Sequence, residues 1–240
     1  MLNKPMKLLK SKTTLLLISL VLFSLGSVAH AFAESAIQCH CFKNRSYNPA
    51  DRFASDDYIL ATSFNSLLAK SFGIPKRQIV MIKMNEGVAQ DDLLIGLKIS
   101  KATGMDNRKF FRLLKENNTW VKIISGLPQQ EKIKNDPLLE ALVSGMPVEE
   151  AGARVADEII GEFYRIKPEE VSKLRLSGLN EKAINLVFLL AHAGEQQPEV
   201  LVEQYRKQGK SWSGIAHNLG FEPAAAGKLI QVYPARQITE

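Results

Sequence analysis

The sequence predicts an all-α protein built from helix pairs. Apolar residues recur at steps of three and four, which places them on one face of a helix. A glycine, or in one place an asparagine, separates two such runs, as expected of a tight turn after a helix. No stretch alternates apolar and polar residues for more than a few positions, as a half-buried strand would. These observations together predict helices throughout.

The helix pair recurs along most of the chain. Around Trp212 its positions are Val202, Tyr205, Gly209, Trp212, Ile215 and Leu219. Further copies start at Phe110, Val171 and Leu138, and more loosely at Val80. The starts are about 30 residues apart, in the range of helical repeat arrays. We therefore predict a helical array of repeated helix–Gly-turn–helix units. A non-repeating all-α domain is the alternative, because its amphipathic helices would give the same spacing.

Turn and cap residues support the pairs. The turn glycines are Gly87, Gly145, Gly178 and Gly209, and Asn117 replaces glycine in one copy. The second helix is preceded by Ser211, Thr119 or Asn180 in three copies. Such side chains accept hydrogen bonds from free N–H groups at a helix start. Each unit is thus predicted as helix, glycine turn, helix.

The helix boundaries follow from the same signals. In chain order we predict helices over 56–72, 91–103, from about 107, from 120 to the Gly126 turn, 148–164, 181–193 and 223–232. Ser55 is the expected cap of the first helix and Gly73 its end. Residues 129–137 are predicted as a polar linker, with Asn135 or Asp136 capping the helix that follows.

Residues 1–33 have the pattern of a secretory signal peptide. Four lysines precede the apolar run from Leu15 to Leu25, and Ala31-Phe-Ala33 supplies the small residues of a cleavage site. The run is shorter than the ~20 residues of a membrane span, and an uncleaved anchor is the alternative. We predict a periplasmic or secreted protein without a transmembrane span after cleavage.

The predicted domain organisation has three parts. A signal peptide over 1–33 is followed by an extended Cys-x-Cys segment over 34–55 and a helical repeat domain over 56–240. Both cysteines of the chain, Cys39 and Cys41, lie in the middle part.

The two cysteines have several interpretations. In an oxidising compartment two thiols usually pair, and a disulfide between Cys39 and Cys41 would be strained and therefore easily reduced. A structural or redox-active disulfide is the first interpretation. A copper or other soft-metal site formed by Cys39, His40 and Cys41 is the second. Links to other chains, or free thiols, are the third.

Charge argues against a nucleic-acid partner. The net charge is +6, but residues 1–33 contain four lysines and no acid, so 27 basic and 25 acidic residues remain after them. The remaining charge is unevenly distributed. Residues 98–134 hold nine basic and three acidic residues, whereas 136–162 hold seven acidic residues and one arginine.

The basic stretch contains a candidate binding face. Its residues are Arg108, Lys109, Arg112 and Lys115. Such a face would suit an anionic partner, for example lipid head groups, a cell-wall polymer or an acidic protein. The alternative is that the basic and acidic stretches neutralise each other across a helix interface.

No catalytic motif stands out. The chain has no Gly-x-Ser-x-Gly elbow, no phosphate-binding glycine loop and no His-Glu-x-x-His helix. His192 and His217 lie on predicted helices, where a structural or an exposed polar role is the simpler interpretation. Trp120 and Trp212 occupy the same repeat position and are expected to anchor the core. Carboxylates brought together only by folding leave no motif, so the sequence favours a non-enzymatic role without excluding an enzyme.

Two motifs resemble known proteins. Cys39-His-Cys-Phe-Lys-Asn-Arg-Ser-Tyr-Asn-Pro49 after a predicted signal peptide resembles the start of a group of exported bacterial proteins with no assigned activity. The half-repeat Gly-x-Ser-Trp-x-x-Ile-Ala-x-x-Leu-Gly at 209–220 is similar to helix pairs in bacterial envelope proteins of unknown role. The resemblance implies export and an all-helical body. The half-repeat also resembles a helix-turn-helix DNA reader, which predicted export and a near-neutral mature charge disfavour.

The predicted function is that of an exported helical binding or scaffold protein. Stacked helix pairs present an extended surface, and the partner would be an envelope protein or an anionic polymer. The alternative is a thiol-redox or soft-metal protein that acts through Cys39 and Cys41.

Overall fold

The computed structural model describes residues 42–116, 118–128 and 130–233, and across these residues the chain forms helices and no strands. The helices are α1 (Asp56–Phe72), α2 (Lys76–Glu86), α3 (Gln90–Thr103), α4 (Asn107–Lys115), α5 (Trp120–Ser125), α6 (Gln130–Lys134), α7 (Pro137–Val143), α8 (Val148–Tyr164), α9 (Pro168–Leu176), α10 (Glu181–Ala193), α11 (Pro198–Arg206), α12 (Trp212–Asn218) and α13 (Ala226–Val232). Short 3₁₀ turns at Pro49–Asp51 and Pro223–Ala225 precede α1 and α13. The predicted all-α fold is confirmed.

α1 is the central helix of the main core. Helices α2, α8, α10, α12 and α13 all pack against it. Its apolar residues Phe64, Leu67 and Leu68 are fully buried. Its buried polar residues are Thr62, Ser63, Asn65 and Ser66. A helix surrounded by other helices has no solvated stripe, so these polar groups need partners inside the protein.

A second apolar cluster surrounds Trp120. It is formed mainly by α3, α4, α5 and α7. The indole Nε1 of Trp120 donates a hydrogen bond to Asp92 Oδ1 at 2.7 Å, which ties α5 to α3. α3 contributes Leu94 to the main core and Ile95 to this second cluster. The two clusters therefore share a helix.

Most predicted helix starts and turns are confirmed. The side chains of Ser211, Thr119, Asn180, Asp106 and Asp136 each accept a hydrogen bond from a backbone N–H of the helix that they precede. The predicted turn glycines Gly87, Gly145, Gly178 and Gly209 all have positive φ. That conformation favours glycine because a side chain would crowd the backbone.

Two local predictions differ from the structure. Ser55 occupies the N-cap position of α1, but its hydroxyl does not cap the helix. It donates instead to the carbonyl oxygen of Ser46 at 2.5 Å, because the preceding segment folds back over α1. The predicted linker at 129–137 contains the short helix α6, Gln130–Lys134.

The first and last helices of the described chain are in contact. Lys70 on α1 donates hydrogen bonds to the carbonyl oxygens of Ile230, Gln231 and Tyr233 at 3.2, 2.8 and 2.8 Å. These carbonyls lie at the C-terminal end of α13, where the helix dipole favours a cation. An open repeat array packs each unit on its neighbours alone. Here the helices also close around α1, and the regular 30-residue repeat stays a prediction.

Candidate functional site

One face of α4 carries only cationic side chains. We call it the α4 basic face; it consists of Arg108, Lys109, Arg112 and Lys115, all of which are exposed. With about 100° between successive helix residues, the four fall within an arc of about 120°. Phe110 and Phe111 lie on the opposite side and are fully buried. Burial of the two phenylalanines fixes the direction in which the four cations point.

The neighbouring lysines on α3 are neutralised by acids. Lys98 Nζ lies 2.9 Å from Asp136 Oδ2 and 2.7 Å from Glu158 Oε1. Burial lowers the pKa of Lys98, but the hydrogen bonds to Glu158 and Asp136 outweigh it, so the pKa is raised overall. Lys101 lies 3.7 Å from Glu162 Oε2. The predicted neutralisation across a helix interface therefore holds for these two lysines.

The α4 basic face is not neutralised in this way. Within the described residues, none of its four cations makes an ion pair. Asp106 precedes α4, and its carboxylate accepts a hydrogen bond from the backbone N–H of Arg108 at 3.0 Å. Its role is thus to cap the helix. The cations remain available to an external anion.

The stretch from Gly209 to Leu219 forms a packed corner. Trp212 is 2% exposed, and its ring stacks on Tyr205 with centroids 4.2 Å apart. Ser211 Oγ accepts a hydrogen bond from the N–H of Gly214 at 3.0 Å. The expected core role of Trp212 is confirmed.

Asp56 at the start of α1 holds this corner. Its carboxylate accepts hydrogen bonds from the backbone N–H groups of Trp212 at 2.9 Å and Ser213 at 2.8 Å. The hydroxyl of Ser213 donates to it as well, at 2.6 Å. Burial raises the pKa of Asp56, and the hydrogen bonds from Ser213 and Trp212 oppose that shift without reversing it. The carboxylate therefore joins the N-terminal ends of α1 and α12.

Lys83 on α2 is a buried cation. Only 3% of the residue is exposed. Its ammonium donates to Gln90 Oε1 at 2.7 Å and to Asn65 Oδ1 at 3.3 Å. Burial lowers its pKa to about 7, with repulsion from Lys182 adding to the effect and Glu181 opposing it.

Asp91 follows Gln90, the hydrogen-bond partner of Lys83, on α3. Burial raises its pKa to about 6, and Glu181, Glu149 and Asp92 add to the shift. Side chains with shifted pKa values are common in active sites, although clusters with a purely structural role produce them too.

Lys83 is almost fully enclosed, so a substrate cannot reach its nitrogen in this structure. We assign Lys83 a structural role.

The predicted cysteine site lies outside the described residues. Cys39, His40 and Cys41 precede Phe42, the first described residue, as does the predicted signal peptide at 1–33. The disulfide, the soft-metal site and export all stay predictions. Within the described part of the chain, no group of three or more His, Cys, Asp and Glu side chains is placed to hold a metal ion.

The two described histidines are exposed. His192 meets the ring of Tyr233 edge-on, with centroids 4.3 Å apart. His217 stacks on Tyr47 at 4.7 Å, and its Nδ1 lies 3.3 Å from Glu222 Oε1. Neither is hydrogen-bonded to a nucleophilic side chain in the described structure.

Comparison of the chain with known protein families, with curated protein sequences and with solved structures gives no match. The resemblance drawn from the two sequence motifs stays a prediction. None of the described helices combines the length and apolar character needed to cross a membrane.

The roles of Asp56 and Lys83 were not predicted from the sequence. Asp56 looks like an ordinary acid in the first turn of a helix, and nothing local links it to Trp212. The burial of Lys83 could have been predicted from the repeat. In the loose copy that starts at Val80, Lys83 occupies a position that is apolar or aromatic in the other copies, such as Tyr205. A lysine at a core position predicts a buried cation.

Proposed function

We propose that this protein is an exported all-α binding protein that holds an anionic polymer of the cell envelope against the α4 basic face. The observation that carries the proposal is the contrast between two neighbouring helices. On α3, Lys98 and Lys101 are paired with acids, whereas the four cations of α4 are exposed and lack an ion pair in the described structure.

The composition of the face favours a polymer over a folded protein partner. Protein–protein interfaces usually contain an apolar centre surrounded by polar groups. The large apolar side chains of α4 are Phe110, Phe111, Leu113 and Leu114, and none of them is exposed. A surface dominated by cations attracts its partner by charge, as a flexible polyanion requires.

The same composition favours binding over catalysis. α4 contains no His, Cys, Asp or Glu. Arginine and lysine donate charge-assisted hydrogen bonds to anions, but general acid–base catalysis at neutral pH normally needs a group that titrates nearby. Association with an anion is therefore the simplest use of this face.

The proposal is tested by retention on beads that carry long-chain polyphosphate. We expect the full chain to bind and to be released by rising salt, because salt screens exposed charges. The double change Arg108→Glu and Arg112→Glu should weaken binding about tenfold or more, since each cation near an anionic surface contributes about 1 kcal/mol.

A matched control separates the face from net charge. Lys167→Glu with Lys228→Glu makes the same change in net charge at exposed positions on other elements, and it should retain most of the binding. Equal losses in both variants, or no loss in the α4 variant, would overturn the proposal. So would capture of an acidic folded protein from envelope extract without retention on polyphosphate.

A further inference from the structure

A small cationic cleft lies between the N-terminal described segment and the first two helices. Its volume is about 290 Å³. It is lined by Arg45, Tyr58, Thr62, Lys76, Arg77 and Val80. The lining thus contains three cations, two hydroxyl groups and one apolar side chain, and no carboxylate. We call it the Lys76 cleft; it shares no residue with the α4 basic face.

Lys76 is a partly buried cation without an acidic partner. Its ammonium donates a hydrogen bond to Thr62 Oγ1 at 2.5 Å. No ion pair to Lys76 occurs among the residues that the structure describes. Burial lowers its pKa to about 8. No opposite charge within the described chain offsets the desolvation of this ammonium, and a bound anion would do so.

The packing leaves room for the ammonium. Gly227 on α13 faces it, and a Cβ at that position would lie only 3.0 Å from Lys76 Nζ and 2.9 Å from Ser66 Oγ. Any larger residue at 227 would therefore press on the lysine head group. Three elements, α1, α2 and α13, meet where this cation is held.

Arg45 is held over the cleft by two contacts. Its Nε donates to the carbonyl oxygen of Phe42 at 3.3 Å. Its guanidinium carbon lies 5.6 Å from the ring centroid of Tyr58, within the range of a cation–π contact. Phe42 in turn meets Tyr58 edge-on. The bond through Nε leaves the two terminal nitrogens as donors for an anion.

The cleft is small for a ligand site. Pockets for drug-sized ligands usually start at about 300 Å³, so a compact ligand fits better than a nucleotide or a polymer segment. The arginine, lysine and hydroxyl groups of the lining together offer more hydrogen-bond donors than the two oxygens of a bound carboxylate could accept from. A tetrahedral oxyanion can accept from all of them. We propose that the Lys76 cleft binds a small phosphate-class anion, either inorganic phosphate or a phosphate monoester.

The test follows the Lys76 signal by NMR in the full chain while inorganic phosphate is added. We expect saturable binding that raises the pKa of Lys76, because a bound anion favours the charged ammonium. Lys76→Gln should weaken phosphate binding at least tenfold. Arg45→Ala and Arg77→Ala change exposed residues and should each weaken it several-fold, which keeps the test valid if Lys76→Gln fails to fold.

Titrations with other ligands identify the class of anion and its source. Acetate should not bind; acetate binding as tight as that of phosphate would overturn the phosphate class. Glycerol phosphate should bind like phosphate if the natural ligand is free, whereas binding only to vesicles that contain phosphatidic acid would assign the phosphate to a lipid head group. No saturable response to phosphate, glycerol phosphate or these vesicles would overturn the proposal.

A control separates this site from the proposed polymer surface. The variant Arg108→Glu with Arg112→Glu lacks two cations of the α4 basic face and should bind phosphate as the unaltered protein does. If it loses phosphate binding while Lys76→Gln retains it, the small-anion site lies on α4 and the assignment to the Lys76 cleft is wrong.

Discussion

Lys83 combines deep burial with a side chain that is charged in water. The amide oxygens of Gln90 and Asn65 receive its hydrogen bonds, and burial lowers its pKa to about 7 from the usual 10.5. Folding therefore removes protons from Lys83 between those two pH values. The unfolded state binds more protons there, so the free energy of unfolding rises with pH across the window.

We predict that the titration of Lys83 increases the free energy of unfolding by about 2 kcal/mol between pH 7 and pH 9, since one pKa unit corresponds to about 1.4 kcal/mol. Lys83→Met should remove most of this rise. Lys76, whose pKa is lowered to about 8, adds a smaller rise in the upper part of the window. Urea denaturation at several pH values measures the slope.

The change Gln90→Glu supplies an independent check on the pH dependence. It places a carboxylate at the oxygen 2.7 Å from Lys83 Nζ, which should raise the lysine pKa and flatten the slope. Lys228→Met, at an exposed position on α13, should leave the slope unchanged. Retention of the full slope in both Lys83→Met and Gln90→Glu would show that another group is its source.

Helix α12 depends on a carboxylate from a helix that is distant in sequence. α12 is a short helix, and Asp56 accepts hydrogen bonds from its first two backbone N–H groups, at Trp212 and Ser213. Ser211 supplies the local cap. Two oxygen-bearing side chains thus satisfy donors that a helix start leaves free.

We predict that Asp56→Ala lowers the free energy of unfolding by about 1–3 kcal/mol, because buried donors on α12 lose their acceptor. Urea denaturation at pH 7 provides the measurement. Asp57→Ala is the matched control: Asp57 lies in the same first turn of α1 but is exposed. Equal effects from the two changes would mean that the helix dipole of α1, and not the bond to α12, explains the role of Asp56.

The two apolar clusters of the described chain are joined through shared helices. Trp212 belongs to the main core and Trp120 to the second cluster. α3 and α8 supply residues to both, such as Val155 and Ala151 from α8. Loss of either helix would expose apolar surface in both clusters, which favours cooperative unfolding.

We predict one unfolding transition for the described body. In Trp120→Phe the remaining tryptophan reports on the main core, and in Trp212→Phe it reports on the second cluster. In each variant, tryptophan fluorescence and circular dichroism should give the same urea midpoint. A fluorescence midpoint below that of circular dichroism in Trp212→Phe would show that the second cluster unfolds first.

The helical class and most helix boundaries could be predicted from the sequence. The predicted helices at 148–164 and 181–193 match α8 and α10, and Ser211 and Asn180 cap the helices that follow them. These features depend on neighbours within one or two helical turns. Their information is therefore contained in short stretches of sequence.

Which charged groups are buried, paired or free depends on how remote segments pack and could not be predicted from the sequence. Lys98 pairs with Glu158, 60 residues further along the chain, and Asp56 bonds to Trp212, 156 residues away. The cations of the α4 basic face form no ion pair in the described structure. Desolvation and ion pairing depend on distances set by packing between remote segments. The sequence placed the cations on one face of α4, and the fold left that face exposed without an acidic partner.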